Sequence, residues 1–384
     1  MKVGLLDRDM YQNGPENSFA WLRANDPVYF DEAGNIWGLT LHEDIVWAQR
    51  QPTLFSNSAG SRPNGVAQAS LIDQDDPMHQ QARRVVAKGF MPRQMAAYEQ
   101  HVVDVTRTLI DRIIDRGHAD VVTDLAKPLP MTLIGEMLGA PASDFDTLQQ
   151  LSDQMIGGAD NPAFVTDEVV NAAVAYYIYA TEAIAQRKAE PRDDLLSLLV
   201  HAEGEGVIDN EQVIANALLL LVGGNETTRN VITGGVHALL THPDQLAWLQ
   251  EHPERINDAV EECLRWVTPI VNMNRITTTD VTVRGVTIPA GQQVLMCYIS
   301  ANRDERVFDN ADRFDIARSH NNHVAFGFGP HFCLGSSLAR LEIRVMLTAL
   351  VERLPDLRLA DANFTPTYSH SSFVRGIQSL PVVF

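Results

Sequence analysis

A chain of 384 residues with 45% hydrophobic residues can bury a substantial core. Its formal net charge of −19 and isoelectric point of about 4.9 argue against binding to nucleic acid or to an anionic membrane surface. The cysteines, Cys263, Cys297 and Cys333, lack zinc-finger spacing, and their odd number argues against a disulfide framework.

The same features indicate where the protein is found. Unpaired cysteines suit a reducing cytoplasm. The first residues carry charge too early for a signal peptide, and the longest apolar run, residues 172–180, is far shorter than the roughly 20 residues that span a bilayer. We therefore expect a soluble, cytoplasmic protein without a membrane anchor.

Periodicity along the chain predicts the fold class. No repeat, low-complexity tract or linker divides the sequence, so we predict one domain over residues 1–384. An alternating pattern at residues 281–291 predicts a β-hairpin. Strand patterns occupy about 27–40 and 275–299, and helical patterns occupy about 41–267 and 336–354. The predicted fold is mainly α with a smaller β portion.

The stretch between Phe55 and Asp75 is rich in serine, glycine and asparagine and predicts a long loop. Long loops inside compact domains are functional more often than idle, although plain disorder is the alternative. This loop is therefore a candidate part of a binding site.

The helix predicted after this loop carries a basic run. His79 and Arg83 are four residues apart and lie on one helix face. Two cationic donors so placed can bind a carboxylate, whereas a solvated helix face is the alternative. Arg84, Lys88 and Arg93 extend the run, which predicts either a docking patch for an acidic protein or an ordinary amphipathic helix.

A long helix is predicted over residues 209–240 and measures roughly 45 Å at about 1.5 Å per residue. Gly223 and Gly224 lie at its centre and cost roughly 2 kcal/mol relative to alanine. Close helix packing explains such a pair. The functional interpretation is a local opening, where a small ligand binds beside the carboxylate of Glu226 and the hydroxyl of Thr227.

Two further positions carry weak signals by themselves. Glu262 and Arg265 place opposite charges one helical turn apart, a pairing worth only about 0.2 to 0.5 kcal/mol on a surface. Arg275 begins a predicted strand, where an arginine is ordinarily an exposed cation.

Residues 326–335, Phe-Gly-Phe-Gly-Pro-His-Phe-Cys-Leu-Gly, predict a tight loop because glycine and proline disfavour both helix and strand. A helical pattern begins at Ser336, so Cys333 lies just before a helix N-terminus, where the helix dipole lowers the pKa of a thiol. A thiolate in such a loop suits ligation of a large flat metallocofactor such as haem. A small buried cysteine in an ordinary turn is the alternative.

This loop resembles the haem-binding loop of the cytochrome P-450 family, Phe-x-x-Gly-x-x-x-Cys-x-Gly, with Phe326, Gly329, Cys333 and Gly335 in register. The upstream elements are similar, in order, to the family's His-x-x-x-Arg, Ala/Gly-Gly-x-Asp/Glu-Thr and Glu-x-x-Arg signatures. The sequence has Gly223 where alanine is commoner, and glutamate where aspartate is commoner. The resemblance covers nearly the whole chain and implies the cytochrome P-450 fold.

The resemblance also implies a role for each candidate residue. Cys333 would be the axial thiolate ligand of haem b. Thr227 would steady bound dioxygen, with Glu226 relaying protons, and the pair Glu262 and Arg265 would support the haem loop structurally. The remaining implied haem contacts are His79, Arg83, Arg275 and His331 at the propionates, and Phe326, Gly327, Gly335, Gly223 and Gly224 around the ring.

The implied function is a bacterial monooxygenase that uses O2 and two external electrons to hydroxylate an unactivated C–H bond. Without a dinucleotide-binding fingerprint, the electrons would come from a ferredoxin and an NAD(P)H-dependent ferredoxin reductase. A peroxide-driven peroxygenase and a non-enzymatic haem sensor are the alternatives, and the pair Glu226 and Thr227 counts against the peroxygenase.

The substrate is expected to be a hydrophobic small molecule, since the segments that would line its pocket are mostly apolar. These segments are 60–72, 218–227, 270–273 and 371–374. The sequences at residues 223–230 and 373–384 are most similar to those of bacterial hydroxylases of steroid side chains, such as those of cholesterol or cholestenone, and of other alkyl chains. Terpenoids, fatty acids and polyketides stay open.

Overall fold

The structure is a computed structural model that describes residues 1–158, 160 and 162–384. The α-helices in this part of the chain are Arg8–Asn13 (α1), Glu16–Asn25 (α2), His42–Gln49 (α3), Met78–Val86 (α4), Pro92–Asp111 (α5), Pro128–Met137 (α6), Phe145–Ile156 (α7), Asp167–Ala189 (α8), Leu195–Gly204 (α9), Asn210–Thr241 (α10), Pro243–Glu251 (α11), Ile256–Val267 (α12), Tyr298–Ala301 (α13) and Ser336–Arg353 (α14). The strands are Val28–Asp31 (β1), Ile36–Leu39 (β2), Phe55–Ser56 (β3), His118–Asp120 (β4), Met273–Thr277 (β5), Val281–Val283 (β6), Val286–Ile288 (β7), Gln293–Met296 (β8), Arg358–Leu359 (β9) and Pro381–Val383 (β10). The prediction of a mainly helical fold with a smaller β portion is confirmed.

The largest sheet joins the two stretches predicted to be strand-rich. Its strand order is β1-β2-β8-β5-β3, with β2 parallel to β8 and the other neighbours antiparallel. The predicted hairpin is β6 paired with β7, with Val281 opposite Ile288, and its turn places Arg284 and Gly285 at positive φ. The sheet of β4, β10 and β9 was not predicted, because strands of two or three residues carry no readable alternation.

Helix α10 is the central element of the fold. Its 32 residues extend about 48 Å, and the predicted capping pair of Asp209 and Gln212 is present at its N-terminus. The helix is unbroken from Asn210 to Thr241, so the local opening expected at its glycine pair is wrong for this structure.

Hydrophobic cores flank the two halves of α10. One cluster packs its C-terminal half against α5, α12 and α14, and another packs its N-terminal half against α4, α6, α8 and α9. Gly234 and Gly235 bring α12 close, because an added Cβ would lie 2.6 Å from Val267 and 2.8 Å from Cys263. No helix in the described ranges combines the length and apolarity needed to cross a bilayer.

Candidate active site

The loop around Cys333 is folded back on itself and anchored to its surroundings. The Cys333 amide donates to the Phe326 carbonyl at 2.9 Å, and the loop ends at Gly335, which precedes α14. Gly327 and Gly329 both adopt positive φ. An added Cβ at Gly329 would lie 2.2 Å from the backbone oxygen of Gln49 on α3, so no other residue fits there without moving the backbone.

The expected lowering of the Cys333 pKa is wrong for the protein alone. Burial raises the pKa of this thiol, although the backbone amide of Gly335 and the charges of Arg83 and Arg340 act in the opposite direction. Desolvation of the thiolate therefore outweighs the helix terminus. A bound metal ion favours the thiolate directly, so the raised value does not argue against ligation.

Beside this loop the structure gathers four of the predicted site residues. The rings of His79 and His331 stack with their centroids 4.0 Å apart. Arg83 donates from Nη2 to the carbonyl of Phe332 at 2.6 Å, and Arg275, on β5, is only 5% exposed and donates to the carbonyl of Asn274.

These four side chains form a cationic cluster, in which the two arginines carry the positive charge and burial lowers the pKa of both histidines. Burial lowers the pKa of His331 to about 2, and the charges of Arg275, His79 and Arg83 lower it further. His331 Nδ1 and His79 Nε2 are buried without a hydrogen-bond partner, and neither arginine forms an ion pair within the described part of the chain. Clustered, partly buried donors, whose one carboxylate contact among the described residues is that of His79 with Asp76 at 3.2 Å, are costly unless an anion joins them. The two propionates of haem fit this requirement.

Helix α10 carries the predicted residues Gly223, Gly224, Glu226 and Thr227. An added Cβ at Gly223 would meet no atom within 4 Å, so the helix leaves open space at this position. Thr227 lies one turn further on, and its hydroxyl donates to the Gly223 carbonyl at 2.8 Å. Gly224 faces away, because an added Cβ there would lie 3.0 Å from Ile134 on α6. Gly224 therefore fits the explanation of close helix packing, whereas Gly223 leaves open space on the surface of an unbroken helix.

Glu226 is buried and belongs to a network of charges that the sequence did not reveal. Its Oε2 accepts a hydrogen bond from Arg229, which also donates to Asp153 on α7, and Lys127 donates to the same Asp153. Burial raises the pKa of Glu226 to about 8; Asp153 acts in the same direction and Arg229 in the opposite one. Burial also favours the protonated form of Asp153, but its hydrogen bond with Glu226 and the charges of Arg229 and Lys127 lower its pKa overall.

The sequence could have indicated Arg229 as a partner of Glu226, because the two residues are one helical turn apart, which is the spacing of an ion pair on a helix. Asp153 and Lys127 were not, since they lie on other helices that only folding brings to α10.

Glu262 and Arg265 are both fully buried and paired through two hydrogen bonds of 2.8 and 2.7 Å. Arg265 also donates to the carbonyls of Asn302, Ala311 and Arg313. The pair thus connects α12 to the segment that leads into the Cys333 loop.

Comparison with known proteins agrees with this geometry. The sequence profile of the cytochrome P450 family matches residues 164–376. The chain is 39% identical to the "Steroid C26-monooxygenase" of Mycobacterium tuberculosis, over 100% of this chain and 97% of that protein. It is 37% identical to the "Methyl-branched lipid omega-hydroxylase" of Mycobacterium bovis, over 96% of this chain and 91% of that protein.

Solved structures resemble the whole chain. Cytochrome P450 CYP268A2 of Mycobacterium marinum, in complex with pseudoionone, has a TM-score of 0.92 at 32% identity, covering 100% of this chain and 99% of that one. CYP109E1 of Bacillus megaterium, in complex with testosterone, has a TM-score of 0.91 at 30% identity, covering 98% of this chain and 99% of that one.

The chain therefore belongs to the cytochrome P450 family. It is a monooxygenase whose cofactor is haem with an axial cysteine thiolate, and it needs electron-transfer partners and a hydrophobic substrate.

Proposed function

We propose that this monooxygenase hydroxylates an unactivated C–H bond in a steroid side chain or another alkyl chain. The observation that carries the proposal is the face of α10, where open space at Gly223 lies one turn from the Thr227 hydroxyl. The two relatives named for oxidising a steroid at C26 and a methyl-branched lipid at its ω-position support this substrate class. Cholestenone is the first compound to test.

We assign the axial thiolate to Cys333. Cys263 and Cys297 are fully buried in hydrophobic clusters. Cys333 instead lies in an irregular loop beside the cationic cluster. We assign His79, Arg83, Arg275 and His331 to the propionates, and Phe326, Gly327, Gly335 and Gly223 to the surroundings of the ring. Haem supplies the oxygen chemistry when it is bound, and the protein supplies orientation and protons.

Thr227→Ala is expected to uncouple the enzyme, so that product formed per NAD(P)H consumed falls by roughly tenfold or more. The hydroxyl of Thr227 donates to the carbonyl of Gly223, the open position one turn before it, and alanine removes this donor. Product and NAD(P)H are to be measured in parallel. Thr227→Ser is the control and should keep the coupling, whereas tight coupling in the alanine variant would contradict the proposed role.

The coupling is also expected to fall as the pH rises through about 8. Because burial raises the pKa of Glu226 to about 8, its carboxyl group is protonated below this pH and ionised above it. Only the protonated form can donate a proton towards Thr227. Product per NAD(P)H should be measured between pH 6.5 and 9 for the wild type and for Glu226→Gln. A wild-type decline that persists unchanged in the glutamine variant would exclude Glu226 as its source.

We propose that a ferredoxin and its NAD(P)H-dependent reductase supply the electrons. Arg84, Lys88 and Arg93 are exposed. Neither they nor Arg83 form an ion pair within the described residues, so this basic run is available to bind an acidic protein. We also propose that the enzyme is cytoplasmic and acts as one domain. Turnover with a ferredoxin system, compared with peroxide alone, distinguishes this function from that of a peroxygenase.

The experiment that tests the proposed function is a titration of the ferric protein with cholestenone, a fatty acid and a terpene. A shift to the high-spin spectrum with cholestenone, followed by hydroxylated product in a ferredoxin system, would support it. A shift with the terpene alone would transfer the proposal to another substrate class.

A further inference from the structure

Arg62 is a partly exposed cation that none of the roles above uses. It lies in the long loop before α4, and its guanidinium carbon is 3.4 Å from the ring centroid of Phe373. Its Nη1 is buried, and no hydrogen bond between described residues involves its side chain. A buried charged donor without a partner is costly, so its retention indicates a ligand.

The loop holds Arg62 in place. The Asn274 amide donates to the Ser61 carbonyl at 2.9 Å, and the Asn274 side chain donates to the Gly60 carbonyl at 3.1 Å. On the other side, the backbone and side chain of Asn64 both bond the side chain of Gln293 at 2.8 Å. Because these bonds join the loop to β5 and β8, the guanidinium is positioned before any ligand arrives.

Arg62 lies where three of the segments predicted to line the substrate pocket meet. It belongs to the first of them, 60–72, and stacks on Phe373 in 371–374. The Phe373 carbonyl accepts a hydrogen bond from Val271 in 270–273 at 3.0 Å. The charges that lower the pKa of His331 are those of Arg275, His79 and Arg83, and Arg62 is not among them. Asp73 acts on both Arg62 and Arg275, so Arg62 lies next to the cationic cluster assigned to the propionates without acting on His331.

The two acids whose charges act on Arg62 are Asp73 and Asp160, and both accept hydrogen bonds from other groups. Asp73 accepts the backbone amides of Ser61 and Gln68 at 2.8 and 2.9 Å. Asp160 accepts hydrogen bonds from Arg8 and from the backbone and hydroxyl of Ser372. Neither acid lies within ion-pair distance of Arg62. Burial lowers the pKa of Arg62 to about 10, opposed by Asp73 and Asp160, so the side chain stays charged at neutral pH.

The local charge decides which ligand fits. Arg62 and Arg8 carry two positive charges, and Asp73 and Asp160 carry two negative charges. Arg275, on which Asp73 also acts, is assigned to a haem propionate, so the group is balanced once haem is bound. An added anion would create an excess negative charge in a desolvated region, whereas a neutral oxygen would satisfy Nη1 without changing the balance.

We propose that Arg62 Nη1 donates a hydrogen bond to a neutral carbonyl oxygen of the substrate. This inference rests on the proposed function and narrows it, because the substrate is then an apolar molecule that carries a ketone or ester group. Arg62 is a specificity-determining residue and takes no part in the oxidation itself.

The test compares cholest-4-en-3-one with cholest-4-ene, which lacks the ketone oxygen, by titration of the ferric spin state. The wild type should bind the ketone about tenfold or more tightly than the hydrocarbon, since a hydrogen bond to a charged donor is worth about that much. In Arg62→Met, which keeps the volume over Phe373, the two affinities should become equal within about twofold. Arg62→Gln keeps a neutral donor and should restore part of the preference. Arg358→Met, which removes an exposed cation on β9, is the control and should behave as the wild type.

An unchanged preference for the ketone in Arg62→Met would overturn the role proposed for Arg62. A wild type that binds both steroids equally, or binds neither, would overturn it as well. Loss of haem from Arg62→Met would show that Arg62 holds the cofactor instead. If Arg62→Met lowers the affinity for palmitate more than the affinity for cholest-4-en-3-one, the natural ligand is an anion and the proposed neutral carbonyl is wrong. Each of these results leaves the wild-type thiolate spectrum intact, whereas absence of that spectrum refutes the proposed function itself.

Discussion

Replacing Cys333 by serine is expected to abolish the thiolate-type absorption band of the reduced, carbon-monoxide-bound protein and to reduce turnover to background. The serine hydroxyl is far less acidic than a thiol and is not a thiolate donor, so the strongly electron-donating axial ligand is lost. The protein should still fold, because Cys333 lies in a loop that is held by backbone bonds and by glycines at positive φ. Loss of the band should therefore occur with little change in far-ultraviolet circular dichroism.

The other cysteines provide the matched control for this experiment. Cys297 is fully buried next to β8, and its thiol has only a weak contact of 3.8 Å to the Leu295 carbonyl. Cys297→Ala removes a sulfur without touching the Cys333 loop and should keep the band at full intensity. If the band survives in Cys333→Ser and disappears in Cys297→Ala, our assignment of the ligand is wrong.

The parts of the site that the sequence predicted are those that depend on local backbone geometry. The glycines around Cys333 indicated a loop because glycine adopts the positive φ values found at Gly327 and Gly329 without the steric cost that a side chain adds. The capping pair at Asp209 and the β6–β7 hairpin were readable for the same reason, since their determinants lie within a few residues.

The parts that the sequence did not predict depend on distant residues or on burial. Asp153 meets Arg229 across 76 positions of sequence, and no periodic pattern connects them. The pKa of Cys333 was predicted in the wrong direction, because the position of the helix terminus was readable but the cost of desolvating the thiolate was not. Glu226 and Thr227 were selected from an opening expected beside the glycine pair and from the resemblance, and the helix is unbroken at that point.

The pair Glu262 and Arg265 shows how far burial can change the meaning of a weak sequence signal. On a surface it would contribute a few tenths of a kcal/mol. Here both side chains are fully buried, and the five N–H donors of Arg265 are matched by five hydrogen bonds to Glu262 and three carbonyls. Glu262 in turn accepts the Asp315 amide and the side chains of Arg318 and Asn321.

Arg265→Met is therefore expected to lower the free energy of unfolding by about 3 to 5 kcal/mol, because it leaves the buried Glu262 carboxylate without its main counter-charge. The loss should be largest in the segment before the Cys333 loop. The Asn302 carbonyl loses its donor there, and the Asn302 side chain accepts the Val324 amide at 2.7 Å. The variant should consequently lose haem at a lower urea concentration than the wild type, which absorbance of the haem measures directly.

Arg255 and Asp258 provide a control with the same three-residue spacing at the start of α12, because their side chains are 41% and 43% exposed. Exposed pairs contribute about 0 to 1 kcal/mol, so Arg255→Met should shift the urea midpoint little. A double variant, Glu262→Leu with Arg265→Met, also removes the acceptor of the Arg318 and Asn321 side chains and of the Asp315 amide, so it should recover none of the stability lost in Arg265→Met. If Arg265→Met and Arg255→Met shift the midpoint equally, burial of the pair does not control the stability of the haem loop.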